Sequence, residues 1–270
     1  TRKESSAASD VYKRQLLFFP PMPEFDVLLI AAPTFVAAYA VFAMVGFGTT
    51  LISAPIVAHV VPLPTLIPAQ AVLDLIASGG MGLKLRKQAA KSEVLRLLPS
   101  MLLGLVAGTY LLAVVPLNAL MLLLGAFVVV YALRGIFSRP KRRTISVRWA
   151  WWYGFSGGTL SAMFGAGAWL YAIYLMRRLD DPVAIRASQA CLISGGAAIR
   201  VVLFALAGKY SDSHVLCLIA ILLPAMGLGV FLGNRAARRI DRGRFLQLLH
   251  LVLLGTGTSL LVRAMMLHGQ

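Results

Sequence analysis

Apolar runs close to the length of a bilayer core recur along this chain, near 27–45, 49–61, 65–83, 95–114, 117–137, 149–164, 167–178, 187–207, 214–234 and 245–267. A helix needs about 20 such residues to cross about 30 Å of hydrocarbon. Lipid is the solvent that suits these runs. Of the residues, 59% are hydrophobic and only 13% charged, against roughly 25% charged in soluble chains, so a water-soluble domain could not hide this much apolar surface. In a bilayer every backbone polar group needs a partner within the protein, which leaves helices or a closed barrel. No run shows the strict alternation of a lipid-facing barrel strand. The expected fold class is therefore an all-α polytopic membrane protein with about 8–10 membrane segments. Two runs, 49–61 and 167–178, are short and each comes after a glycine-containing break. They are expected either to cross or to form the returning arms of re-entrant hairpins, which a membrane tolerates only where protein or a cavity covers the backbone.

A formal net charge of +16 could signal nucleic acid, but the cations sit between the apolar runs. Nineteen of the 26 Lys and Arg residues fall in four clusters: Lys84 to Arg96, Arg134 to Arg148, Arg177 to Arg186 and Arg235 to Arg244. That is the pattern of cytoplasmic loops in membrane proteins, and it points away from a nucleic-acid surface. The second cluster, centred on Arg139-Pro140-Lys141-Arg142-Arg143, reads as a linker, and Trp149, Trp151, Trp152 and Tyr153 come directly after it, as an interfacial aromatic belt would. Cys191 and Cys217 lie in apolar runs without metal-ligand company and read as buried thiols. Residues 1–15 are polar, unlike the apolar remainder of the chain, and are expected to be a non-native leader outside the fold. No secretory signal is evident, so the first spans should drive insertion.

The two halves repeat. Gly46-Phe47-Gly48 falls on Gly165-Ala166-Gly167 at an offset of 119, which also lays Gln70-Ala71 and Leu73 on Gln189-Ala190 and Leu192. At an offset of 125, Leu97-Leu98-Pro99 with Gly104 and Gly108 falls on Leu222-Leu223-Pro224 with Gly229 and Gly233. Small residues at four-residue spacing recur in any helix bundle, because they let backbones approach. The tripeptide ahead of both glycine pairs does not follow from packing alone. Charge then orients the halves. The loop before Leu97 is basic and the next is uncharged, whereas the loop before Leu222 carries little charge and the next is basic. By the positive-inside rule, the repeats are inverted, each with an odd number of crossings, either five or three plus a hairpin. The expected organisation is leader 1–15, first repeat 24–137, basic cytoplasmic linker 138–148 and second repeat 149–267. If every segment crosses, both chain ends lie outside the cytoplasm.

Inverted repeats interrupted by Gly or Pro at matching positions point to a transporter site near the midplane. Here the interruptions are Gly46, Phe47, Gly48, Thr49 and Thr50 with Pro55, and Gly154 to Gly158 with Gly165 and Gly167. A broken helix end exposes N–H groups and a positive dipole, which suits an anion. Only Asp74 and Arg200, of 36 formally charged side chains, fall in the middle of a run. Charges are costly there, so they are functional candidates by default. Gln70, Asp74 and Ser78 share one helical face, as do Gln189, Gly196 and Arg200. Arg200 could hold an anionic head group while Asp74 titrates to couple protons, or the two could simply pair. His59, His250 and Gln247 read as interfacial or packing residues.

These pieces together resemble the TauE/SafE sulfite exporter family, of the toluene-sulfonate uptake permease superfamily. The resemblance runs over nearly the whole chain after the leader. It is carried by Gly46-Phe47-Gly48-Thr49-Thr50 leading to Ala54-Pro55, the Gln70-Ala71 helix, both Leu-Leu-Pro segments with their glycines, and Gly154-Phe155-Ser156-Gly157-Gly158 to Gly165-Ala166-Gly167. It implies a multi-pass permease of the bacterial inner membrane that moves sulfite, sulfonates or other small sulfur-containing or organic anions, often with protons. No cofactor and no metal are expected, and a homo-oligomer is left open. The chain departs from the family pattern at Thr49 and Thr50, where a longer glycine run is common, and at Ile173 and Tyr174, where a proline is common. A membrane-embedded lipid-processing enzyme is the rival reading, but no nucleophile has a base nearby and no ligands have metal spacing. An accessory scaffold subunit is the third, weakened by the lack of a long polar segment.

Overall fold

The computed structural model describes residues 24–46, 48–137, 144–236, 251, 253–262 and 264–265. The leader at 1–15, Phe47, the centre of the linker at 138–143, Arg238 to Arg244, Gln247 and His250 lie outside the described residues. In chain order the helices are α1 (Glu24–Val45), α2 (Thr49–Val57), α3 (Leu63–Leu85), α4 (Lys91–Val114), α5 (Leu117–Phe137), α6 (Trp149–Phe164), α7 (Ala168–Arg178), α8 (Pro182–Leu206) and α9 (Ser213–Ala236). A short apolar helix, α10 (Leu253–Val262), comes last. No strand occurs among the described residues.

Among the described residues, four helices, α4, α5, α8 and α9, are long and apolar enough to cross a membrane by themselves. Unlike the helices of a soluble bundle, they expose large apolar side chains. On α4, Ser100, Gly104 and Gly108 are buried with Leu97, Met101, Leu105 and Leu112, while Leu95, Leu102, Leu103, Val106 and Val114 are exposed. Small residues join large apolar ones on the face against the neighbouring helix, and the outward face is apolar as well, as lipid requires. Trp149, Trp151 and Trp152 stand exposed at the start of α6, where an interfacial belt belongs. Cys217 is exposed on α9 rather than buried, which corrects the sequence expectation. Its thiol is apolar enough to face lipid at little cost. Helix α8 opens on Asp181, whose carboxylate accepts from the Val183 and Ala184 backbone N–H groups ahead of Pro182 at the first turn.

The repeated glycines do the same work in both halves. A Cβ on Gly104 would collide with the Phe155 carbonyl, and one on Gly108 with that of Thr159, so α4 lies against α6 with the backbones in contact. A Cβ on Gly229 would meet the Val36 carbonyl at 2.5 Å, and one on Gly233 that of Ala40, so α9 lies against α1 in the same way. Phe155 and Thr159 fall on Val36 and Ala40 at the offset of 119, so the two seams are equivalent. The central helices of the halves, α3 and α8, run antiparallel. Asp74 lies beside Arg200, and Gly82, later on α3, lies beside Cys191 and Ser194, earlier on α8. Equivalent helices thus point in opposite directions, and the fold is two inverted repeats.

Candidate functional site

The breaks between α1 and α2 and between α6 and α7 are made by glycine geometry. Gly46 and Gly48 take φ of 93° and 100°, and Gly165 takes 65°, a region that a Cβ disfavours. The helices after these breaks have nine and eleven residues, about 14 and 17 Å at 1.5 Å per residue, roughly half a bilayer core. Both are returning arms. Gly167 packs on the Gly157 carbonyl and Ser161, and the Tyr171 ring covers Gly157, so α7 folds back along α6. In the first half, Thr49 Oγ1 donates to Asp74 at 3.0 Å and Ser53 Oγ donates to Gln70 Oε1 at 2.9 Å, so α2 runs antiparallel to α3. The tips meet. A Cβ on Gly165 would strike the Thr50 hydroxyl.

Beside this meeting point lies a small cavity. Gly48, Thr49 and Asp74 line it from the first half, and Ser161, Gly165, Tyr171 and Arg200 from the second, with Phe42, Ala168, Leu192 and Ile193. Asp74 and Arg200 are joined at 2.9 Å and are 5% and 3% exposed, which makes them a fully desolvated pair. Tyr39 Oη at 2.9 Å and Thr49 Oγ1 donate to the other carboxylate oxygen, so Asp74 accepts three hydrogen bonds. Arg200 Nη1 donates to the Ser161 carbonyl at 2.9 Å, close to the second break. Its Nε is buried with no partner. A buried carboxylate and guanidinium are tolerable only when so bonded.

Of the residues singled out by sequence, Gly48, Thr49, Asp74, Gly165 and Arg200 come together on this cavity. Gly46 shapes the first break and Gly167 the second, without lining it. Thr50 sits buried against Gly165, its hydroxyl unpartnered. Gln70 and Gln189 stand back from the cavity on α3 and α8, each with a buried side-chain amide nitrogen lacking a partner. Among the described residues, no group of His, Cys, Asp and Glu could hold a metal ion.

Comparison with known proteins gives the same grouping from an independent direction. The family described as sulfite exporter TauE/SafE matches residues 30–260. The chain belongs to the TauE/SafE family. A relative from Comamonas testosteroni, named as the probable inner membrane transporter protein TsaS, is 27% identical over 194 residues, which cover 70% of this chain and 80% of that protein. No solved structure matches the chain. This TauE/SafE chain is accordingly a multi-pass transporter of the inner membrane, and its cavity lies between the two broken hairpins.

Sequence reasoning missed two parts of this TauE/SafE protein. Tyr171 is 2% exposed, lines the cavity and leaves its hydroxyl without a partner. In an apolar helix it reads as packing. Glu93 counted as an end-of-helix charge, yet it is 4% exposed. It accepts from Tyr174 Oη at 2.6 Å, Arg96 at 2.6 Å and Arg178 at 3.0 Å, while Arg178 also donates to the Ile145 carbonyl at 3.2 Å. This cluster ties the starts of α4 and α6 to the end of α7, so three basic clusters share one end of the molecule. Glu93 among Lys91, Arg96 and the more distant Arg178 was the one signal in the sequence. At the other end, Tyr210 donates to the Pro68 carbonyl at 3.1 Å, and burial lifts its phenol to about 12, so it stays a donor at physiological pH.

Proposed function

We propose that this protein is a secondary transporter of small oxyanions, sulfite, a sulfonate or another sulfur-containing or organic anion, moved together with protons. The observation that carries the reading is Arg200, a buried cation on a cavity between two broken helices, with its Nε–H unspent. An anion arriving there gains Arg200 but meets the Asp74 carboxylate. Protonation of Asp74 removes that repulsion and releases the guanidinium from its partner. Anion and proton therefore favour each other's binding, and symport results. Thr49 and Tyr39 hold Asp74 in place in either state, since a protonated carboxyl still accepts hydrogen bonds.

The reading is tested by counter-flow in proteoliposomes. Purified protein should exchange internal unlabelled sulfite for external labelled sulfite, faster at lower pH. Asp74→Asn should exchange at a rate that no longer depends on pH. A pH profile like that of the parent would remove Asp74 from coupling. Absence of exchange for sulfite and for a panel of sulfonates and carboxylates would defeat the transporter assignment for small anions and favour an enzyme or a scaffold, neither of which exchanges solute.

A further inference from the structure

Tyr171 and Arg200 share an unusual property. Each is more than nine-tenths buried, each lines the cavity, and each has a donor atom, Tyr171 Oη and Arg200 Nε, that meets no acceptor. Buried donors without acceptors are rare in folded proteins, because the lost hydration is not replaced. The carboxylate in the same cavity does not relieve them. Asp74 already accepts from Tyr39, Thr49 and Arg200 Nη2, and the Ser161 carbonyl is taken by Arg200 Nη1. The unspent polar capacity of the site thus includes two hydrogen-bond donors, one of them on a cation. A compact oxyanion suits them, because it can offer an oxygen to each.

Packing holds the phenol where it is. Its ring lies on Gly157, where any Cβ would collide with it, and Gly167 brings the start of α7 onto α6. Glycine at 157 therefore makes the space for the ring, and the hydroxyl is carried to the cavity by a rigid hairpin and not by a loose side chain. We infer that Tyr171 is a ligand-binding residue, which donates its phenolic hydrogen to one oxygen of a sulfite- or sulfonate-type head group while Arg200 Nε donates to another. This rests on the transporter reading and adds a second donor to it. The neutral donor and the cation can each take a separate oxygen of such a head group, whereas a halide offers both the same single atom.

The test is Tyr171→Phe, which removes one oxygen and keeps the ring. In proteoliposomes the KM for sulfite should rise about tenfold, the loss expected for one hydrogen bond to a charged acceptor, with the maximal rate unchanged. The melting temperature of the unliganded variant in detergent should equal or exceed that of the parent, because an unpartnered buried hydroxyl is gone. The additional stabilisation produced by sulfite should shrink. An unchanged KM in a variant that transports would overturn the role of Tyr171 and leave the transporter reading standing. A lower melting temperature without ligand, with sulfite stabilisation intact, would make the hydroxyl structural and equally overturn it. A parent protein that neither transports nor is stabilised by sulfite or methanesulfonate would sink both.

Discussion

At the scale of single residues, the charge pair decides how the cavity responds to change. Arg200→Ala strands Asp74 as a buried anion, with only Tyr39 and Thr49 to hold it. Breaking a buried pair from one side costs about 3–5 kcal/mol. Changing both partners, Asp74→Asn with Arg200→Gln, should cost less than the sum of the single changes, since no unpaired charge remains. Denaturation of the four proteins in detergent would measure this coupling, and strict additivity would mean the pair is not a unit. These two residues were legible in the sequence because a charge inside an apolar run stands out. Their pairing was one of two options there, since periodicity fixes a helical face but not what lies opposite. Tyr171 was illegible for the converse reason. An aromatic residue in a membrane helix is ordinary, and only the neighbouring atoms reveal that its hydroxyl has no acceptor.

At the scale of helices, the glycine seams should be where substitution hurts. Gly104→Ala and Gly229→Ala each drive a methyl into a backbone carbonyl, which cannot swing aside as a side chain can. Each should destabilise by about 1–3 kcal/mol. Gly227, two residues before Gly229 on the same helix, has open space around it, and Gly227→Ala should be neutral or stabilise slightly by helix propensity. Thermal unfolding of the three variants checks this, and equal effects at 227 and 229 would refute the seam. The spans from the first run to 214–234 were readable from apolar length to within about five residues at each end. The hairpins were legible only as one of two options, because shortness and a glycine break at 49–61 and 167–178 do not say whether the chain crosses or returns. Their fate is decided by left-handed glycines and by partners such as Ser53 with Gln70 and Gly157 with Tyr171.

At the scale of the whole molecule, Lys87 lies just past the end of α3, and Ser211 precedes α9 beside Tyr210, which bonds to Pro68 near the start of α3. Both are exposed and lie at opposite ends. With Cys191 and Cys217 replaced by Ala, a membrane-impermeant maleimide should label Lys87→Cys from the cytoplasmic side only and Ser211→Cys from the other side only. Labelling of both from one side would contradict the topology. The repeat was visible in sequence through its glycines, yet its chemistry is lopsided. At the offset of 119, Asp74 falls on Ile193, Thr49 on Ala168 and Arg200 on Met81. The two halves share a frame of glycine seams, and each places its own sign of charge on the cavity. Because the seam of α4 on α6 and that of α9 on α1 are built alike, with paired glycines setting backbone against backbone, a bulky residue at either should loosen one half and leave the packing of the other in place.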